Sequence, residues 1–129
     1  MEPSNVLYTR EHEWLRIEGD LYLLGVTDFA QQELGEVFVV ELPQVGQVFD
    51  SGDRLGTIET VAAVSQIYVP VAGQVVEIND LASDDPQIIN RDPYREGWLV
   101  KIRFSSVPDP REFLTAEQYD AFVRAGDGS

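Results

Sequence analysis

The sequence predicts a mainly β fold, a small sandwich or flattened barrel, with a short internal helix and a second helix near the C-terminus. Three observations carry this. β-branched and aromatic runs recur at short intervals between turn residues, no linker or low-complexity tract separates them, and a clear helical period appears after Thr115. At 129 residues the chain is expected to form one domain, 1–129, with its core over about residues 7–124.

Trp14–Ile17 and Leu21–Leu24 flank Glu18-Gly19-Asp20 and read as a hairpin in which glycine supplies the turn. Asp28 is placed to cap a short helix over Phe29–Leu34, closed by Gly35. Val37–Leu42 is a dense strand stopped by Pro43, and Val48-Phe49 lies between the turns at Val45-Gly46 and Ser51-Gly52-Asp53. Leu55–Val61 and Val64–Val69 form a second hairpin with Ala62-Ala63 at or near its tip. Gln74–Ile78 alternates as a half-buried strand does, Asn79–Arg95 reads as a polar loop with one helical turn, and Gly97–Phe104 is a last strand. Thr115-Ala116-Glu117-Gln118 has capping-box form, followed by Tyr119, Phe122 and Val123 on one stripe. Gly126–Ser129 reads as a frayed tail.

Composition removes several function classes. The net charge is −14, from 23 acidic and 9 basic residues, which repels nucleic acid and anionic membranes and favours basic partners. No apolar run approaches the ~20 residues that span a bilayer. The first residues lack the basic and apolar regions of a signal peptide, so a cytoplasmic location is expected. Without cysteine there is neither a disulfide nor thiolate catalysis. His12 is the single histidine and is expected to be solvated or capping. Asp84-Asp85 lacks EF-hand spacing, no serine sits in a G-x-S-x-G elbow, and no metal site is expected. Glu59 and Glu77 could pair as acid and base, but exposed strand faces routinely carry glutamate. Trp14 and Trp98 are expected in the core. The pattern is that of a carrier or binding module, not an enzyme.

Five segments then show a resemblance. Tyr8–Trp14 (YTREHEW), Gly25–Gln31 (GVTDFAQ), Leu34–Pro43 (LGEVFVVELP), Tyr68–Gly73 (YVPVAG) and Asp92–Trp98 (DPYREGW) are similar, in order, to the motifs of glycine cleavage system H proteins. The resemblance implies a hybrid barrel-sandwich fold with lipoate carried on a lysine at a hairpin tip. In that family the arm takes an aminomethyl group from the glycine decarboxylase (P protein) to the aminomethyltransferase (T protein). Dihydrolipoyl dehydrogenase (L protein) reoxidises it, and a lipoate-attaching enzyme loads it.

Aligned on the family's E-S-V-K-A-x-S pattern, Glu59, Thr60, Val61, Ala62, Ala63 and Ser65 fall in register, and the lysine falls on Ala62. Alanine has no nucleophilic atom, so no lipoate is expected on this chain. Lys101, the one lysine, belongs to a strand matching the family's G-W-L-x-K-I and is expected to be structural. The resemblance places Glu11, Glu13, Phe29 and Gln66 near the docked arm. Many relatives have His at the first departure, Phe29, and Asp at the second, Gln66. Two readings stay open: an H protein whose lysine was substituted, and a natural H-like paralogue acting as a binding or regulatory module.

Overall fold

The computed structural model describes residues 5–126. Two antiparallel sheets face each other across one apolar core. The larger contains β1 (Leu7–Tyr8), β2 (Glu13–Glu18), β3 (Leu21–Val26), β9 (Val100–Phe104), β8 (Gly73–Ile78) and β5 (Val48–Phe49), in that spatial order. The smaller holds β4 (Val37–Glu41), β6 (Arg54–Thr60) and β7 (Val64–Tyr68). Among the described residues four α-helices, α1 (Asp28–Leu34), α2 (Asp80–Asp84), α3 (Ile88–Arg91) and α4 (Ala116–Arg124), and a 3-10 turn at Pro110–Glu112 complete it.

The alternation read in the sequence sets which faces are buried. Leu24, Ile58, Ile67, Val75, Val100 and Ile102 meet between the sheets, all nearly solvent-free. A second cluster lies under α4, where Tyr8, Trp14, Leu23, Leu114 and Tyr119 pack together. Trp14 pairs across the strands with Gly25, and a Cβ on Gly25 would come within 2.6 Å of the indole. Glycine is needed there because the ring lies on its backbone. The indole N–H donates to the Pro93 carbonyl at 3.0 Å, so the ring is buried without an orphan donor.

Four expectations are corrected. The N-cap of α1 is Thr27, whose hydroxyl accepts the Ala30 N–H at 3.1 Å; Asp28 is the first helical residue and its carboxylate accepts from Gln31 and Gln32. The segment 79–95 is not a loop with one turn. Asn79 caps α2 and donates to the carbonyls of Glu96 and Trp98, while Asn90 bonds Gln31, Gly35 and Val37. Helices this short are held by such tertiary bonds rather than by propensity, so their sequence gives little warning. The last strand begins at Val100, since the 92–98 turn keeps Gly97 and Trp98 out of the ladder and only Leu99 reaches back to the Leu24 carbonyl. Trp98 is half-buried, lying at the rim of the second cluster beneath the Lys101 ammonium.

The capping box of α4 is formed as read. The tail beyond Gly126 lies outside the described residues. Trp14→Ala should cost roughly 3–5 kcal/mol of unfolding free energy in urea titration, and Trp98→Ala, which vacates only a rim site, distinctly less. Equal losses would contradict this division of the two indoles.

Candidate functional site

The β6–β7 hairpin ends in a tight, exposed turn. Its inward residues, Ile58 and Ile67, anchor it in the core, while Glu59 and Val64 pair on the outward face. Beyond that pair the Thr60 N–H donates to the Ala63 carbonyl at 2.9 Å, and the Ala63 N–H donates to the Thr60 hydroxyl at 3.2 Å. Val61 and Ala62 are the two residues left at the tip. Val61 is 88% exposed and Ala62 is also exposed. His12 is the non-glycine residue with positive φ among those described, so the tip turns without left-handed backbone.

Two depressions flank the inner edge of this hairpin. The smaller, about 170 Å³, is bounded by Ser65 on β7, by Glu11 and His12, and by Phe29 and Glu33 on α1. The larger, about 500 Å³, lies between the 9–13 loop and Tyr68–Pro70 and includes Thr9, Glu11 and Glu13. Glu11 borders both.

Glu13 is the unusual group here. It is 3% exposed, accepts the Tyr68 N–H at 2.9 Å and accepts the Thr9 hydroxyl at 3.3 Å. Burial pushes its carboxyl up to about 7, against the two hydrogen bonds that favour the anion, with the Glu11 charge adding to the rise. It therefore holds or releases a proton near neutral pH.

The loop carrying Glu11, which leads into Glu13 at the start of β2, is tied to the far end of the chain. The ring Nδ1 of His12 lies 2.7 Å from the Tyr119 hydroxyl, which is also 2.7 Å from the Thr27 hydroxyl. The His12 ring sits 4.9 Å from the ring of Phe29. His12 is thus half-buried and packed, which corrects the solvated or capping role expected of it. A ring between α1 and α4 leaves no trace in local sequence.

Of the residues singled out from sequence, Glu11, Glu13, Phe29 and Ser65 come together around these depressions, and Glu59, Thr60, Val61, Ala62 and Ala63 form the end of the hairpin. Gln66 is exposed and shares its face with Val64 and Tyr68, opposite to Ser65. Glu59 and Glu77 lie in different sheets, and Glu77 answers Lys101. Thr9 and Tyr68 were not foreseen as site residues; Tyr68 enters through its backbone N–H, which no side-chain pattern signals. Among the described residues there is no group of three or more metal-ligating side chains. No helix among them is long and apolar enough to cross a membrane.

Lys101 is committed elsewhere. Its ammonium donates to Glu18 at 2.9 Å, lies 3.5 Å from Glu77 and sits 5.3 Å above the Trp98 ring. The Glu18 hydrogen bond holds it above the ordinary lysine range. It belongs to the larger sheet, whereas the hairpin belongs to the smaller.

Comparison with known proteins supplies the context for this geometry. A family model described as "Glycine cleavage H-protein" matches residues 6–126. The glycine cleavage system H protein of Rubrobacter xylanophilus is 50% identical over 117 residues, covering 91% of this chain and 90% of its own. That of Bacteroides fragilis is 46% identical over 123 residues, covering 95% and 98% respectively. The crystal structure of a glycine cleavage system H protein from Mycobacterium marinum superposes with a TM-score of 0.85 at 36% identity, covering 96% of this chain and 98% of that one.

The buried carboxylate sets a pH dependence. Folded Glu13 keeps its proton to about pH 7, whereas its ordinary value is 4.5. Between these values the folded state binds more protons than the unfolded state, so this group's contribution is fully favourable below 4.5 and is lost as pH rises to 7. Glu13→Gln cannot ionise. The stability of Glu13→Gln relative to the parent should therefore climb across that window, by up to roughly 3 kcal/mol. A difference that stays flat from pH 4.5 to 7.5 in chemical denaturation would show that Glu13 titrates normally.

Proposed function

The chain belongs to the glycine cleavage H-protein family, and from that premise we propose that Ala62 stands where the family carries its lipoyl-lysine, making this chain a carrier scaffold without an attachment point. The family is a lipoyl carrier and not an enzyme, and it works with the P, T and L proteins of the glycine cleavage system. The observation that carries the proposal is the placement of Ala62 at the exposed end of the β6–β7 hairpin.

The chemistry is simple. Lipoate is attached when a lysine ε-amine attacks an activated lipoyl carbonyl and displaces its leaving group, giving an amide. The Ala62 side chain is a methyl group and offers no such nitrogen. Lys101 is held by two carboxylates and an indole on the other sheet, and it does not present its amine as a two-residue turn would. A tether at the hairpin tip would raise the effective concentration of a carried group at successive partners, and this chain lacks that tether.

Around the missing attachment point the chain still has a hairpin anchored in the core and the Glu13 carboxylate beside an open depression, while Phe29 and Gln66 depart from the family's pattern. The carrier-like surroundings of Ala62 fit a substituted H protein, and the Phe29 and Gln66 departures support the second reading, in which the chain acts as a binding or regulatory module. It would dock onto the decarboxylase, the aminomethyltransferase, dihydrolipoyl dehydrogenase or the lipoate-attaching enzyme without accepting cargo. The proposal includes a single domain over 1–129, with its core over about 7–124, working in the cytoplasm.

Incubated with lipoate, ATP and a lipoate ligase, the chain should gain no lipoyl mass, and Ala62→Lys should gain one lipoyl group. An exposed tip substitution of this kind should move stability by no more than ~0.5 kcal/mol. Lipoylation of the unaltered chain would refute the proposal. The tryptic peptide Leu55–Arg91 from the natural source separates the two origins: alanine at position 62 marks a natural non-carrier, and a lipoylated lysine there marks a substituted H protein.

A further inference from the structure

The smaller sheet has two edges and so does the larger, and three of the four are protected. On β4 a bulge falls between Val37 and Val39, and the Val37 N–H is taken by the Asn90 side chain. Beside β1, Tyr8 exchanges both backbone hydrogen bonds with Leu114. β5 has only two residues. β7 has none of these devices: it is five residues long, carries no proline or lysine, and the register shift opposite it puts the extra residue in β6.

The direction of its backbone groups follows from the bonds it makes. The Ala63 carbonyl and the Val69 N–H both bond toward the β6 side, to Thr60 and Asp53. The Tyr68 N–H points the other way, to the Glu13 carboxylate. In a regular antiparallel strand these directions alternate, so the N–H and C=O groups of Val64 and Gln66 point away from β6. Glu13 closes this edge at Tyr68, and among the described residues no backbone hydrogen bond is made to it from Gln66 to the hairpin tip.

The two faces along that edge differ in chemistry. On the Ser65 side lies the depression bordered by Glu11 and Glu33. On the opposite side Val39 and Val64 are exposed, with Tyr68 beyond them. The arginines of the neighbouring segments are occupied or aside: Arg10 lies over the Phe122 ring, and Arg54 pairs with Tyr68 at the closed end.

We infer that the free edge of β7 is a docking site for an extended peptide segment of a protein partner, in which arginine or lysine alternates with apolar residues. Such a segment adds as a further strand, exchanging backbone hydrogen bonds with Val64 and Gln66. Its cationic side chains fall on the Ser65 side, toward Glu11 and Glu33, and its apolar ones beside Val64. A second copy of this chain is a poor occupant, because each carries a net charge of −14. The inference concerns the strand edge and stands whichever residue occupies position 62.

The test titrates two blocked heptapeptides into the full chain, one alternating arginine with valine and the other glutamate with valine, followed by ¹⁵N amide spectra. The arginine peptide should bind saturably and more weakly at high salt, with the Val64 and Gln66 amides shifting and gaining exchange protection. Gln66→Pro removes an N–H that the β6 ladder does not use, and should weaken binding by roughly tenfold. Glu11→Gln with Glu33→Gln should weaken it and flatten the salt dependence, and this pair decides the matter if Gln66→Pro does not fold. Absence of saturable binding, equal binding of the two peptides, protection confined to other strands, or dimerisation of the chain through β7 would each overturn the proposal.

Discussion

The packing of Trp14 against the bare backbone of Gly25 fixes the register on which the site depends. With the indole N–H bound to the Pro93 carbonyl, β2, β3 and the 92–98 turn are held at one point. Successive strand residues face opposite ways, so burying Trp14 under α4 directs Glu13 to the other face of β2, toward β7. A slip of one residue would exchange them, putting a carboxylate in the aromatic cluster and an indole in the cleft. The energy of burying a large aromatic ring therefore stands behind the placement of a single ionisable group.

That group is held at some cost to the fold. Glu13 accepts two hydrogen bonds, yet burial outweighs them and favours its proton-bound form. A positive charge brought beside it would favour the anion. The surrounding parts are rigid for reasons unrelated to it: α4 clamps the 9–13 loop through Tyr119 and His12, and Asn90 stitches α1 to β4. The hairpin is similarly stiff, since Ile58 and Ile67 are both in the core.

The hairpin also shows how a functional atom and its scaffold separate energetically. Ala62 contacts solvent, the turn is closed by Thr60 and Ala63, and nothing in the core senses what projects from the tip. Selection for folding therefore does not act on this position, and a carrier-type scaffold persists whether or not it holds an attachment point. The strand edge beside it is different, because its backbone groups are offered to a partner by any sequence that forms β7.

Much of this was legible in the chain itself. Alternating apolar residues gave the strands and their buried faces, because a period of two maps directly onto a pleated surface; the capping box gave α4; and the register of Glu59–Ser65 located Ala62 at a hairpin end. Tertiary structure alone decided the rest. The two short helices of segment 79–95 exist because Asn79 and Asn90 bond groups up to 59 residues away, and the Thr27 cap displaced the Asp28 that local preference suggested. The proton affinity of Glu13, the anchoring of His12 by Tyr119 and the open edge of β7 likewise follow from which surfaces meet. Local pattern fixes what a segment can be; burial, charge environment and edge exposure are set by segments distant in sequence and adjacent in space.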